Sequence, residues 1–112
     1  MLNKKIGNVG EALAVKYLKE KSYQIKELNY TNKIGEIDII AVHNDVIVFI
    51  EVKNRTTDKF GVGREAVNFY KQQKIRSVAQ VYLKYKKLLD VLCRFDVIEI
   101  TGDKIEHIEN AF

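Results

Sequence analysis

Apolar residues recur along this chain with two different periods. Over about residues 4–21, Glu11, Ala14, Val15 and Leu18 occupy the i, i+3, i+4, i+7 positions of one face, and this spacing predicts a helix. Over residues 23–30, Tyr23, Ile25 and Leu28 alternate with polar residues, with one slip of phase, as in a half-buried strand. "TNKIG" supplies turn residues, and residues 36–42 and 46–53 then read as two strands split by His43-Asn44-Asp45. Asn and Asp tolerate the left-handed backbone of a tight hairpin turn. Residues 54–63 read as a loop. A second helix is predicted over about residues 64–87, with Ile75, Val78, Ala79 and Tyr82 on its inner stripe. Residues 91–100 form a strand, Thr101-Gly102-Asp103 a turn, and "KIEHIE" a short edge strand. The order α-β-β-β-α-β-β predicts an α+β or mixed α/β sandwich. A length of 112 residues is that of one domain, residues 1–112.

Two acids interrupt the apolar strands. If Asn44-Asp45 is a two-residue turn, His43 pairs with Val46, and Asp38 lies directly across from Glu51. Glu36 likewise faces Lys53. Opposed residues point to one side of a sheet with β-carbons about 4.5–5.5 Å apart. Alternation along the strand puts Lys53 on the same face as Glu51. Ile47 and Phe49 share that face, while Val48, Ile50 and Val52 fill the other, so this strand is expected to be central and covered on both sides. Two carboxylates about 5 Å apart repel by roughly 3 kcal/mol at an effective dielectric constant of about 20. A positive group must offset that. Lys53 supplies one charge. Mg²⁺ (or Mn²⁺) would supply more, being hard and commonly held by one or two carboxylates with waters. The competing reading is a cross-strand charge pair at a sheet end.

Composition narrows the class. At 46% hydrophobic and 30% charged the chain is an ordinary soluble globular protein. One cysteine, Cys93, fits a reducing cytoplasm and reads as a buried thiol. The segment "MLNKKIGNVG" has no apolar run of the secretory kind, and no stretch is long enough for a membrane span. The net charge is +4, and Lys71, Lys74, Arg76, Lys84, Lys86 and Lys87 follow one another with no acid between. Such a surface suits a polyanion, nucleic acid above all, or is simply a solvated helix face.

The acid, hairpin and Glu-x-Lys arrangement resembles the PD-(D/E)xK nuclease signature. More closely, "GNVGEALAVKYL", "GEIDIIA", "VFIEVKNR", Phe60-Gly61 and "RFDV" resemble the YraN-like family of predicted endonucleases, in order and over nearly the whole chain. The resemblance implies a restriction-endonuclease-like α/β fold, a mixed sheet flanked by helices, similar to archaeal Holliday junction resolvases and often dimeric. It implies Asp38, Glu51 and the carbonyl of Val52 as metal ligands and Lys53 as catalytic lysine. Glu11 falls where such nucleases carry a helical acid that reaches the site. Two departures are visible: Ile37 replaces the proline before Asp38, and Asn54 replaces a threonine common among relatives.

Other residues have two readings each. Glu11 either faces the site or closes a capping box with Asn8. Glu36 is expected to pair with Lys53. Arg55, Lys59 and Arg64, flanking the loop, and Lys71 and Lys74 on the second helix are the candidates for gripping a phosphate backbone. His43 is expected at the turn surface, Tyr70, Tyr82 and Tyr85 in core or groove, and Asp96 in a structural salt bridge with Arg94. The expected function is a Mg²⁺-dependent endonuclease acting on DNA, including branched DNA, with a homodimer suited to a substrate that has two strands to cut. The alternatives are a non-catalytic nucleic-acid-binding module and, ranked last, a metal-assisted hydrolase of nucleotides.

Overall fold

The computed structural model describes residues 9–55, 68–88 and 90–112. The elements are α1 (Val9–Glu20), β1 (Gln24–Thr31), β2 (Glu36–His43), β3 (Val46–Arg55), α2 (Phe69–Tyr85), β4 (Leu92–Thr101) and β5 (Lys104–Ile108), in the predicted order. They form one five-stranded sheet, β1-β2-β3-β4-β5. Every neighbouring pair is antiparallel except β3 and β4, which run parallel. A parallel pair needs a crossover, and α2 lies within it. The fold is thus a mixed α/β sheet flanked by two helices. No helix among the described residues is long and apolar enough to cross a membrane.

Each face of the sheet has its own core. Ala14, Val15 and Leu18 of α1 pack with Ile39, Ala41, Val48, Ile50, Ile98 and Ile100. Ile75, Val78, Ala79 and Tyr82 of α2 pack on the opposite face with Ile40, Ile47, Phe49, Phe95 and Val97. β3 is therefore central and buried on both sides, as its doubly apolar pattern predicts. Burying one such Ile, Val or Phe side chain contributes roughly 1.5–3 kcal/mol.

The turn chemistry sets the registers. Asn44 and Asp45 have φ of 50° and 65°, the left-handed pair that a two-residue hairpin turn needs. The β2–β3 ladder accordingly runs from His43↔Val46 to Ile39↔Ile50. The phase slip in β1 is a register shift between Ile25 and Glu27. α1 stops where Ser22 turns left-handed (φ 69°) and Tyr23 N–H returns to the Leu18 carbonyl at 2.9 Å. α2 starts at Phe69, later than the periodicity predicts, because Asn68 is extended and its side chain accepts the Lys71 N–H at 2.8 Å.

Three expectations need correction. Cys93 is exposed, near the start of β4, where burial sets in only at Phe95. His43 is half-buried, its ring stacked on Tyr23 with centroids 4.0 Å apart. Tyr82 is in the core as expected, but Tyr70 and Tyr85 are exposed.

Candidate active site

Asp38 sits where β2 changes its manner of packing. The pair Leu28↔Ile39 belongs to the α1-side core, while Tyr30↔Ile37, two residues along each strand, packs on the α2 side. Residues two apart on a regular strand share a face. The strands therefore rotate between these pairs, and Asn29 there has a φ of 52°. Asp38 occupies this seam, just past the last pair of the β2–β3 ladder. Its Oδ2 accepts the Val52 N–H at 2.8 Å, so the carboxylate takes up a backbone donor where the two strands separate.

The neighbours of Asp38 are acids. The negative charges of Glu51 and, more weakly, of Glu11 act on it. The convergence of residues 38 and 51 predicted from the hairpin is thus present. Burial first, and the Glu51 carboxylate second, push the Asp38 carboxyl up to about 7, against the lowering effect of the Val52 N–H. Glu11 and Glu51 are themselves buried. Glu11 Oε1 accepts a hydrogen bond from Asn29 Nδ2 at 2.7 Å, which ties α1 to the seam in β1. Of the two readings of Glu11, the site-facing one matches this contact; Asn8, its partner in the capping reading, lies outside the described residues. Gly10 lets the end of β3 approach this turn of α1, since a β-carbon there would collide with the Asn54 side chain.

The positive partner of Glu51 comes from α2. Lys71 Nζ lies 2.6 Å from Glu51 Oε2. Asp38 and Glu51 line an open cleft of about 260 Å³ together with Gly35, Glu36, Lys71, Lys74 and Ile75. Lys53 follows Glu51 by two residues on β3, and its register partner is Glu99 of β4 rather than Glu36. Glu36 is exposed and pairs with Thr31 on the other side of β2. Arg55, placed by sequence beside the phosphate-binding loop, directs Nη2 toward Glu99 Oε2 at 3.8 Å. Lys59 and Arg64 lie outside the described residues. Lys71, expected from sequence as a phosphate contact, meets Glu51 here, and Asn29 is a contact that the sequence does not single out. The only local signals were the cap at Asn68 and the interrupted phase of β1.

The donor set in the cleft is oxygen only. Among the described residues, no three Asp, Glu, His or Cys side chains are grouped to hold a metal ion. Two carboxylates, one of them bonded to Lys71 and the other with no ion-pair contact among the described residues, fit an ion that keeps most of its waters, as Mg²⁺ does, and not a structural zinc site.

A second aspartate shows the opposite balance. Asp96 is fully buried, yet Arg94 Nε donates to both its oxygens (2.9 and 3.2 Å), Arg94 Nη2 donates to Oδ2 (3.0 Å), and Asn110 N–H donates to Oδ1 (3.1 Å). His107 Nε2 is 2.7 Å from Oδ2, and an ionised carboxylate can only accept, so that nitrogen carries the proton. Burial alone would raise this carboxyl, but the bonds from His107, Arg94 and Asn110 together hold it below the usual value. The salt bridge expected from "RFDV" is present as part of a larger network that reaches Tyr23, whose hydroxyl is 2.6 Å from Arg94 Nη2.

A mixed α/β domain with an acid pair in a lysine-rimmed cleft is thus the class that fold and geometry define. Residues 10–100 match the profile described as "Uncharacterised protein family UPF0102". The chain is 53% identical to a UPF0102 protein of Alkaliphilus oremlandii, covering 99% of this chain and 100% of that one. It is 49% identical to a UPF0102 protein of Caldanaerobacter subterraneus subsp. tengcongensis (99% and 98% covered) and 49% identical to one of Clostridioides difficile (100% of both). The chain belongs to the UPF0102 family, the YraN-like group indicated by its motifs.

Proposed function

We propose that this protein is a Mg²⁺-dependent DNA endonuclease with a restriction-endonuclease-like fold, hydrolysing phosphodiesters, including those of branched DNA. One observation carries the reading: Asp38 lies beside Glu51 in an open cleft at a seam in the sheet, with Glu11 within electrostatic reach and, among the described residues, without the side-chain donors that satisfy Asp96. Buried carboxylates arranged at such expense are concentrated at functional sites. Asp38 and Glu51 hold the divalent ion, with the Val52 carbonyl as a third oxygen. When bound, the ion supplies Lewis-acid polarisation of the phosphoryl oxygen and a more acidic water. Lys53, two residues beyond Glu51 on β3, would stabilise charge on the phosphate, and Glu11, within electrostatic reach of Asp38 from α1, would orient water.

Lys71 and Lys74 line the cleft, and Phe69 and Tyr70 stand exposed beside them at the start of α2. Cations with interleaved exposed aromatics favour a nucleic-acid strand over a free nucleotide. A pair of such subunits in the cytoplasm would bring one cleft to each strand of a junction.

The test is cleavage of duplex, single-stranded and four-way-junction DNA with Mg²⁺ or Mn²⁺, by the wild type and by Asp38→Ala. The variant should lose more than about 100-fold in rate, the upper end of the loss seen when a residue that merely supports a metal ligand is removed. It should retain DNA binding or bind more tightly, because a carboxylate near phosphate is gone. Binding without cleavage by the wild type on every substrate would instead assign the chain to the non-catalytic nucleic-acid-binding class.

A further inference from the structure

We propose that Lys71 is the protein's own counter-ion for the acid pair, and that a divalent cation entering the cleft displaces its ammonium from Glu51. The inference rests on the reading of the cleft as a metal site.

The geometry is that of an exchangeable partner. Lys71 Nζ touches Glu51 Oε2 at 2.6 Å, so a divalent cation at that oxygen competes with the ammonium for it and repels it as a like charge. The two side chains differ in freedom: Lys71 is 48% exposed, Glu51 only 9%. The ammonium can therefore swing into water on its flexible stem while the carboxylate stays in place. The position of Lys71 also points to a purpose beyond helix stability. It lies in the first turn of α2, where no acidic residue is present. A cation at that end opposes the helix dipole. The turn is nevertheless fixed by the Asn68 cap on the Lys71 N–H, so the residue is anchored where it can reach Glu51. Once released it remains on the rim beside Lys74, facing the space a phosphate would enter.

The experiment is Mn²⁺ titration by calorimetry on wild type, Lys71→Met, Lys71→Arg and Glu51→Gln, with thermal melts of each with and without Mn²⁺. Methionine keeps the length and the helix propensity of lysine. Freed of its competitor, Lys71→Met should bind Mn²⁺ about 3- to 10-fold more tightly than wild type, the span expected for breaking one partly exposed charge-assisted contact. Lys71→Arg should stay near wild type. Without metal, Lys71→Met should melt lower than wild type, and Mn²⁺ should raise its melting temperature by more. Equal or weaker Mn²⁺ binding by Lys71→Met, or an unchanged melting temperature without metal, overturns the proposal while leaving the metal site standing. Failure of the wild type to bind Mn²⁺ in any way that Glu51→Gln abolishes removes the metal reading itself, and this inference with it.

Discussion

Asp96→Asn is expected to destabilise the protein by about 3–5 kcal/mol, the usual consequence of removing one partner from a buried ion pair. The amide is nearly the same size, so the effect isolates charge from packing. It would leave the Arg94 guanidinium, 14% exposed, without its anion, and would disturb the His107 and Asn110 donors that meet the same carboxylate. Urea unfolding with an unchanged m-value measures it. Glu109→Gln is the control: Glu109 Oε1 is 3.9 Å from Arg94 Nη1 but 57% exposed, and its loss should change stability by less than about 1 kcal/mol. Because the Asp96 pKa is lowered in the folded protein, its contribution is present above the unfolded value of 3.8 and disappears as pH falls through the folded one. The Asp96→Asn penalty should therefore shrink in acid. A penalty below about 1 kcal/mol at neutral pH would show that the network is ornamental.

Asp38→Asn is expected to act with the opposite sign and stabilise the protein. The folded pKa of about 7 stands above the ordinary 3.8, so between those values the native state keeps a proton that the unfolded chain has lost. Stability of the wild type therefore falls as pH rises across that window, and the full penalty is present above pH 7. At about 1.4 kcal/mol per pH unit the penalty has an upper bound of roughly 4–5 kcal/mol. Asparagine removes the charge while keeping an oxygen for the Val52 N–H and offering an N–H to Glu51. Its advantage should be widest near pH 8 and close toward pH 4, as read by melting temperature against pH. A pH-independent difference, or a destabilised variant at pH 8, would refute the account of a strained acid pair. Mg²⁺ should raise the melting temperature of the wild type and do little for the variant, since binding stabilises only the state that holds the ligand.

These two aspartates mark the limit of what the sequence conveys. Each lies in a β-strand next to isoleucine or valine; spacing along the chain sets Asp38 against Glu51 and Asp96 beside Arg94, but it does not show the Glu11 carboxylate or the His107 and Asn110 donors that complete the contrast. Asp96 is satisfied by groups from β4, β5 and the C-terminal segment, whereas Asp38 meets acids from β3 and α1. The difference is one of assembly.

What the sequence determined by itself was everything governed by near neighbours. Asn44-Asp45 permits one tight turn, that turn sets the register from His43↔Val46 to Ile39↔Ile50, and the next positions along it, residues 38 and 51, come together just beyond the ladder. The alternation of β3 and the stripe of α2 likewise fixed which residues are buried, because strand and helix periods are local properties of the backbone. Tertiary structure decided the rest. The rotation between Tyr30↔Ile37 and Leu28↔Ile39 depends on two helices packing on opposite faces of one sheet. The partner of Glu51 is Lys71 because the crossover brings the first turn of α2 over the end of β3, at a distance that no spacing along the chain encodes. Cys93 is exposed for the same kind of reason: whether an apolar residue at a strand end is covered depends on how the elements assemble around it.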